Sequence, residues 1–296
     1  MLLFYGGNME KKIEEIVSEY SNNVFNRREF LSRLIAVTGS MAAAHLLLES
    51  SGLAQTVVSK IESKQSNVNS ETIKYASAKD INISGYLSVP KTKGKFPAVI
   101  VIHENRGLND HTREVARRFA AEGFVALAPD LISRKGGTGL MESPDKAREA
   151  LSTLSAADAL IDLEAGLAFL NKHKNVKKGQ LGSVGFCWGG ARSFLLAADS
   201  KLIRAAVVFY GSAPPNEKLA QVRVPVLGVY GETDERITSK VPEVAEILKK
   251  SGKQYEYKIY PGAGHVFFND TGERYNEAAA KDAFLRTLTF FRAKLK

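Results

Sequence analysis

The sequence predicts an α/β protein, with a mostly parallel central sheet and helices on both faces. Two observations carry this. From about residue 73 onward, apolar segments of strand length alternate with segments of helical periodicity, the pattern of a covered parallel sheet. Most of the strand segments are continuous, β-branched-rich runs rather than alternating ones, which is how a strand buried on both faces reads.

The elements follow in order. Ile81 to Val89 alternates apolar and polar residues and predicts a half-exposed strand. Phe96 to His103 is continuous and apolar, a buried strand. Arg113 to Glu122 sets Val115, Phe119 and Ala120 on one helical face, and Gly123 ends it. Phe124 to Pro129 is the next strand. Residues 143–173 read as one helix, with Ser143 as cap and Pro144 in the first position. Gln180 to Phe186 is a strand and Gly189 to Ala198 a helix. Arg204 to Tyr210 and Val224 to Tyr230 are strands. Ser239 to Lys250 is a helix, Tyr255 to Tyr260 a strand, and Glu273 to Lys294 a closing helix.

Composition narrows the function. The chain has 296 residues, 44% hydrophobic and 25% charged, enough to bury a core without cross-links. One cysteine excludes an internal disulfide, a Cys-rich zinc finger and an iron–sulfur site. No clustered His/Asp/Glu ligand set stands out, so neither a metal nor an organic cofactor is expected. Lys and Arg number 41 against 32 Asp and Glu, a net charge of +9. A basic binding protein is the non-enzyme alternative. However, the basic residues are scattered in short runs such as Arg117-Arg118 and Lys177-Lys178. No helix-turn-helix or aromatic–basic platform accompanies them, so no nucleic-acid partner is expected.

The first 54 residues differ from the rest. Residues 10–20 are charged and of helical character. Arg27-Arg28-Glu29-Phe30-Leu31 follows, then an apolar and small-residue run from Leu34 to Leu48, then Gly52-Leu53-Ala54. A basic region, a short apolar region and a small-residue exit is the order of an export signal. The paired arginines with Phe-Leu behind them resemble a twin-arginine signal, which implies the matching export machinery as a partner and an extracytoplasmic location. The apolar run is shorter and more polar than the roughly 20 residues of a spanning helix, so no stable membrane anchor is expected. Residues 55–72 are polar and rich in Ser and Asn, a linker or exposed lead-in strand. The reading is therefore a leader over 1–54, a linker over 55–72 and a single domain over 73–296.

In covered parallel sheets the site lies beyond the carboxyl ends of the strands. After the 180–186 strand stands Gly185-Phe186-Cys187-Trp188-Gly189-Gly190, a Gly-x-Cys-x-Gly turn between strand and helix. The glycines allow a sharp turn that lifts a nucleophile out of the sheet. The helix dipole favours a thiolate at Cys187, and the Trp188 amide points where an oxyanion would form. After the 224–230 strand comes Gly231-Glu232-Thr233-Asp234, and after the 255–260 strand Pro261-Gly262-Ala263-Gly264-His265. Nucleophile, acid, histidine is the chain order of α/β-hydrolase triads, with His265 as base and Asp234 as its orienter. After the 96–103 strand comes His103-Glu104-Asn105-Arg106-Gly107. The Asn105 amide is the candidate second oxyanion donor. Glu104 is positioned to restrain the thiol, by accepting its proton or pairing with it. The remaining histidines carry less: His111 and His173 read as surface helix ends.

On these motifs, together with Ala128-Pro129-Asp130-Leu131, the stretch from about 75 to 294 resembles the dienelactone hydrolase (carboxymethylenebutenolidase) family of the α/β-hydrolase fold. The resemblance implies a lactone or ester hydrolase with a Cys187–Asp234–His265 triad and a thioester intermediate. It also implies that Glu104 keeps the thiol protonated until substrate binds, sparing it from oxidation. The family's two substrate-carboxylate arginines map to Arg134 and to the position of Asn269. The second is therefore missing here, and Arg106 is the candidate replacement. A thiol carboxylesterase unrelated to dienelactone is the alternative within enzymes.

Overall fold

The computed structural model describes residues 6–21, 33, 36, 37, 67–78 and 80–296. They fall into two units, divided between Asn67 and Val68. In the first, α1 (Gly6–Ser21) is a helix that buries Ile13, Ile16 and Val17. Arg27-Arg28 and most of the apolar run behind them lie outside the described residues. Among the described residues, no helix is long and apolar enough to cross a membrane.

The second unit is a sheet of eight strands: β1 (Val68–Ala76), β2 (Asn82–Pro90), β3 (Phe96–Ile102), β4 (Val125–Pro129), β5 (Val176–Phe186), β6 (Ala205–Phe209), β7 (Val226–Gly231) and β8 (Tyr255–Tyr260). Their order is β1-β2-β4-β3-β5-β6-β7-β8. The first three in that order pair antiparallel, and all pairs from β4–β3 to β7–β8 are parallel. The helices are α2 (Asp110–Ala121), α3 (Pro144–Ser152), α4 (Ala156–Lys172), α5 (Trp188–Asp199), α6 (Asn216–Leu219), α7 (Glu235–Thr238), α8 (Val241–Lys250) and α9 (Glu277–Lys294).

The continuous apolar runs have their explanation in the two cores. Along β3, Ala98, Ile100 and Ile102 join one cluster with Leu163, Leu167 and Leu170 of α4 and Phe194 of α5. The intervening Val99 and Val101 join the other, with Val115 and Phe119 of α2 and Phe291 of α9. Successive side chains point to opposite faces, and both faces are covered, so no polar residue is tolerated in between. The edge strands differ. β8 is largely exposed along its middle, and β1 is exposed over most of its length. β1 takes in residues 68–72 of the segment read as a linker or lead-in strand.

One predicted helix is divided, and another starts two residues later than expected. The 143–173 segment is α3 and α4, broken at 153–155. Ser155 caps α4 by accepting the Asp158 amide at 3.0 Å, a Ser-x-x-Asp start signal inside an otherwise helical pattern. The 239–250 segment begins afresh at Val241 with Pro242 in its first turn, and the separate α7 precedes it. The closing helix starts at Glu277, where the Asn276 side chain accepts the Ala279 amide.

Candidate active site

The strand order places the site. The chain moves outward from β3 to β4 on one side and to β5 on the other, so β3 and β5 flank the point where connections diverge. The loops behind them, carrying Glu104 and Cys187, are neighbours beyond the carboxyl edge. The loops behind β7 and β8 bring Asp234 and His265 to the same edge.

Cys187 occupies the tight turn between β5 and α5, at φ 54° and ψ −113°, a conformation L-residues rarely adopt. The turn needs its glycines for close approach. A Cβ on Gly185 would strike the Gly189 carbonyl, and one on Gly189 would strike the carbonyls of Ile102 and His103. The Cys187 amide is held by the Phe209 carbonyl at 3.0 Å. The sulfur therefore projects at the first turn of α5, and the Trp188 N–H hydrogen-bonds to it.

His265 bridges the other two triad candidates. Its Nδ1 lies 2.5 Å from Asp234 Oδ2 and its Nε2 lies 3.1 Å from Cys187 Sγ. Because a carboxylate only accepts, Nδ1 carries the proton, leaving Nε2 to accept the thiol S–H. Burial, and next the charge of Glu104, push the Cys187 thiol up to about 11, against the opposing pull of the Trp188 N–H and the Arg236 charge. The resting site therefore holds Cys187 as a thiol. The helix-dipole reading, which favoured a thiolate, is overruled by burial and the Glu104 charge.

Glu104 is buried at 8% exposure, and both its oxygens accept hydrogen bonds. Tyr210 donates its hydroxyl to Oε1 at 3.1 Å, and Asn269 donates Nδ2–H to Oε2 at 3.1 Å. The expectation of a direct bond to the thiol is corrected here: the thiol is bonded to His265, and Glu104 acts on it through its charge. The Glu104 backbone is fixed by His103, which is fully buried. His103 Nε2 accepts the Leu131 amide, so its Nδ1–H donates to the Glu104 carbonyl at 2.6 Å. Burial lowers the His103 pKa and keeps this ring neutral. That bond orders the backbone leading to Asn105, whose amide has no intramolecular acceptor among the described residues.

The predicted carboxylate clamp is not assembled. Arg134 lies against α4, its Nε and Nη2 on the fully buried Asp162 at 2.8 and 3.0 Å and its Nη1 on Asp158 at 3.1 Å. A guanidinium committed to two carboxylates in the resting protein is a structural tie. Asn269 is also engaged: beyond its bond to Glu104, its Oδ1 accepts from the amide and hydroxyl of Thr271. It positions Glu104 rather than a ligand. Arg106 is exposed at the loop surface. His111, read as a surface residue, is buried and bonds Asp270 at 3.1 Å. Burial would raise the Asp270 pKa, but His111 and Arg118 outweigh it and hold the carboxyl well below the usual range.

Three contributors escaped the sequence reading. His103 reads in the sequence only as the end of a strand beside Glu104. Arg236, two residues beyond Asp234, supplies a positive charge that acts on the sulfur. Tyr210 reads in the sequence as the last residue of a strand, and it stands just past the end of β6, at the edge where the site lies. It is fully buried at φ 38°, and its ring meets His265 edge-on at 5.2 Å.

Known proteins match most of the second unit. The model of the dienelactone hydrolase family matches residues 83–295. A protein of Saccharolobus solfataricus, provisionally assigned as a carboxymethylenebutenolidase, is 36% identical over 71% of this chain and 93% of its own length. One of Methylorubrum extorquens with the same provisional assignment is 32% identical over 71% of this chain and 76% of its own. The crystal structure of a provisionally assigned dienelactone hydrolase from Klebsiella pneumoniae superposes with a TM-score of 0.70. It is 32% identical and covers 76% of this chain and 98% of that one. The matched span contains all four loops that build the site, and on that span the chain belongs to the dienelactone hydrolase family.

Proposed function

We propose that the protein hydrolyses a lactone or carboxylic ester through a Cys187–Asp234–His265 triad and a thioester acyl-enzyme. The observation that carries this is the continuous chain Sγ–Nε2 at 3.1 Å and Nδ1–Oδ2 at 2.5 Å, on three loops of one sheet edge. Substrate binding desolvates the site further and brings an electrophilic carbonyl to the sulfur. His265 Nε2 takes the thiol proton as sulfur attacks the carbonyl carbon. Asp234 stabilises the imidazolium that forms. The oxyanion is received by the amides of Trp188 and Asn105. Collapse breaks the acyl–oxygen bond, and His265 returns the proton to the leaving alkoxide. A water then gives its proton to His265 and attacks the thioester. The thiolate leaves and recovers the proton from the imidazolium, and the acid is released.

Glu104 sets the resting state of this cycle. Its charge disfavours a second negative charge on sulfur, so the nucleophile is kept as a thiol and spared from idle oxidation. The relatives' assignments as carboxymethylenebutenolidases support a lactone as substrate. We also propose export by a twin-arginine route, on the order of Arg27-Arg28, the apolar run from Leu34 to Leu48 and the small-residue exit.

The test is a panel of lactones and aryl esters assayed with wild type and Cys187→Ser. Wild type should cleave members of the panel with a burst of leaving group. The serine variant should keep its fold and lose at least about 100-fold in kcat, because the pair is arranged for a thiol. Serine turnover equal to wild type would reject Cys187 as nucleophile.

A further inference from the structure

Basic residues that are scattered along the sequence are gathered by the fold. Three segments form the amino ends of β3, β5 and β6, which are neighbours in the sheet. The first is Lys-Thr-Lys-Gly-Lys over 91–95. The second runs from Asn171 to Gln180 and carries Lys172, Lys174, Lys177 and Lys178. The third runs from Ser200 to Arg204 and adds Lys201 and Arg204. The segments adjoin one another. Asn175 donates its Nδ2–H to the Gly94 carbonyl at 3.3 Å, and its own carbonyl accepts the Phe96 amide at 2.8 Å. The Arg204 amide donates to the Leu181 carbonyl at 2.8 Å. Adjacent strands lie about 5 Å apart, so the three segments fall within about one Debye length at about 0.1 M salt.

Together they hold nine of the 41 Lys and Arg and none of the 32 Asp and Glu, so they account for the whole net charge of +9 and the rest of the chain is balanced. All nine side chains are exposed, and none is in an ion pair among the described residues. Of the acids at the border, Asp199 is paired with Lys218, and Glu71 acts on His173. Gathered like charge costs the folded state free energy that a negative surface would relieve. The chemistry of the patch says which surface. All but one of its cations are lysines, point charges without the planar fork that reads phosphates and bases bidentately. No exposed large hydrophobic side chain lies on these segments, so they offer neither an aromatic platform for bases nor an apolar anchor for a protein partner. Lysine is depleted at protein interfaces and suits diffuse attraction to a fluid anionic surface. The chain also enters the domain at this edge. Val68, the first residue of β1, pairs with Pro90, directly before Lys91, so the segment that bears the apolar run from Leu34 to Leu48 is tethered on the basic side.

We propose that this amino edge of the sheet, built from 91–95, 171–180 and 200–204, is an adsorption surface for the anionic phospholipid face of a membrane. Adsorption there is electrostatic and reversible. It leaves the carboxyl edge, with Cys187 and His265, turned away from the bilayer and open to soluble substrate. The proposal goes beyond the hydrolase reading and does not depend on it.

The test is co-sedimentation of the full chain with vesicles of phosphatidylcholine alone and of phosphatidylcholine containing about 30% phosphatidylglycerol. Binding should appear only with the anionic lipid and fall steeply as salt rises from about 0.1 M to about 1 M. The combined variant Lys91→Gln, Lys93→Gln, Lys177→Gln, Lys178→Gln should bind at least about thirtyfold more weakly, since each cation near the surface is worth about fivefold. A control variant, Lys146→Gln, Arg148→Gln, Lys240→Gln, Lys281→Gln, loses the same net charge from exposed positions elsewhere and should bind within about threefold of wild type. Both variants keep the apolar run and the candidate catalytic residues, and should hydrolyse soluble esters within about twofold of wild type. Equal binding to neutral vesicles, or equal loss in the two variants, would overturn the proposal. Retention on single-stranded DNA that exceeds vesicle binding at the same salt would give the patch to nucleic acid and overturn the lipid assignment. Salt-sensitive vesicle binding through the patch by a protein that cleaves no ester would uphold the surface and reject the hydrolase reading instead.

Discussion

Replacing Glu104 by glutamine removes a charge beside the nucleophile while preserving shape. The hydrogen bonds can be kept. The glutamine oxygen accepts from Asn269 Nδ2, and its amide donates to the Tyr210 hydroxyl, which rotates from donor to acceptor. What changes is the electrostatics of Cys187. Its pKa is pushed from 9.0 to about 11, first by burial and second by the Glu104 charge. At pH 8 a thiol titrating near 11 is about 0.1% thiolate, and each pK unit recovered multiplies that by about ten. A nearby like charge contributes about one unit. Glu104→Gln should therefore raise the iodoacetamide alkylation rate of the resting protein by about tenfold between pH 7 and 9, and move the alkylation midpoint down by about one unit. The chain has one cysteine, so mass spectrometry reads a single event. The variant should also inactivate faster in dilute peroxide. An unchanged midpoint would show that burial alone protects the thiol, and a higher one would reverse the sign argued for Glu104.

Three other outcomes follow from the contacts. Arg134→Ala leaves the fully buried Asp162 with Ser77 as its remaining side-chain donor, and should cost about 3 kcal/mol in urea unfolding while leaving the selectivity between carboxylated and neutral esters unchanged. Gly189→Ala drives a methyl group into the carbonyls of Ile102 and His103, and should lower stability by about 3 kcal/mol with loss of turnover; a variant melting with wild type would contradict the close packing of the nucleophile turn. Arg27→Lys with Arg28→Lys should retain the protein in the cytoplasmic fraction, whereas a wild-type chain found there in full would reject export.

Much of the fold was legible because burial on both faces leaves a plain signature. Phe96–Ile102 and Ala205–Phe209 are unbroken apolar runs, and their alternate members feed two separate cores. Boundaries were less legible where two signals overlapped. In 143–173 the helical pattern continues through a break that Ser155 makes by capping, so the stop and the restart were hidden within one composition. β1 was the least visible strand. It is an edge, exposed over most of its length, and its pairing with β2 is a long-range fact that no local pattern carries.

For the site, the legible part was the residues whose chemistry is rare at their position: a cysteine between glycines, and an acid and a histidine each closing a strand. Arg134 and Asn269 show where position alone misleads. An arginine's role depends on which carboxylates reach it first, and Asp158 and Asp162 lie on a helix face whose direction relative to residue 134 is set only by the fold. Tyr210 shows the converse. A tyrosine ending a strand is ordinary as sequence. Tyr210 gains a function because β6 lies beside β5 and points its last residue at Glu104. Sequence therefore identifies the groups that react. The groups that tune them depend on which partners the packing grants or withholds, as Glu104 does on Tyr210 and Asn269.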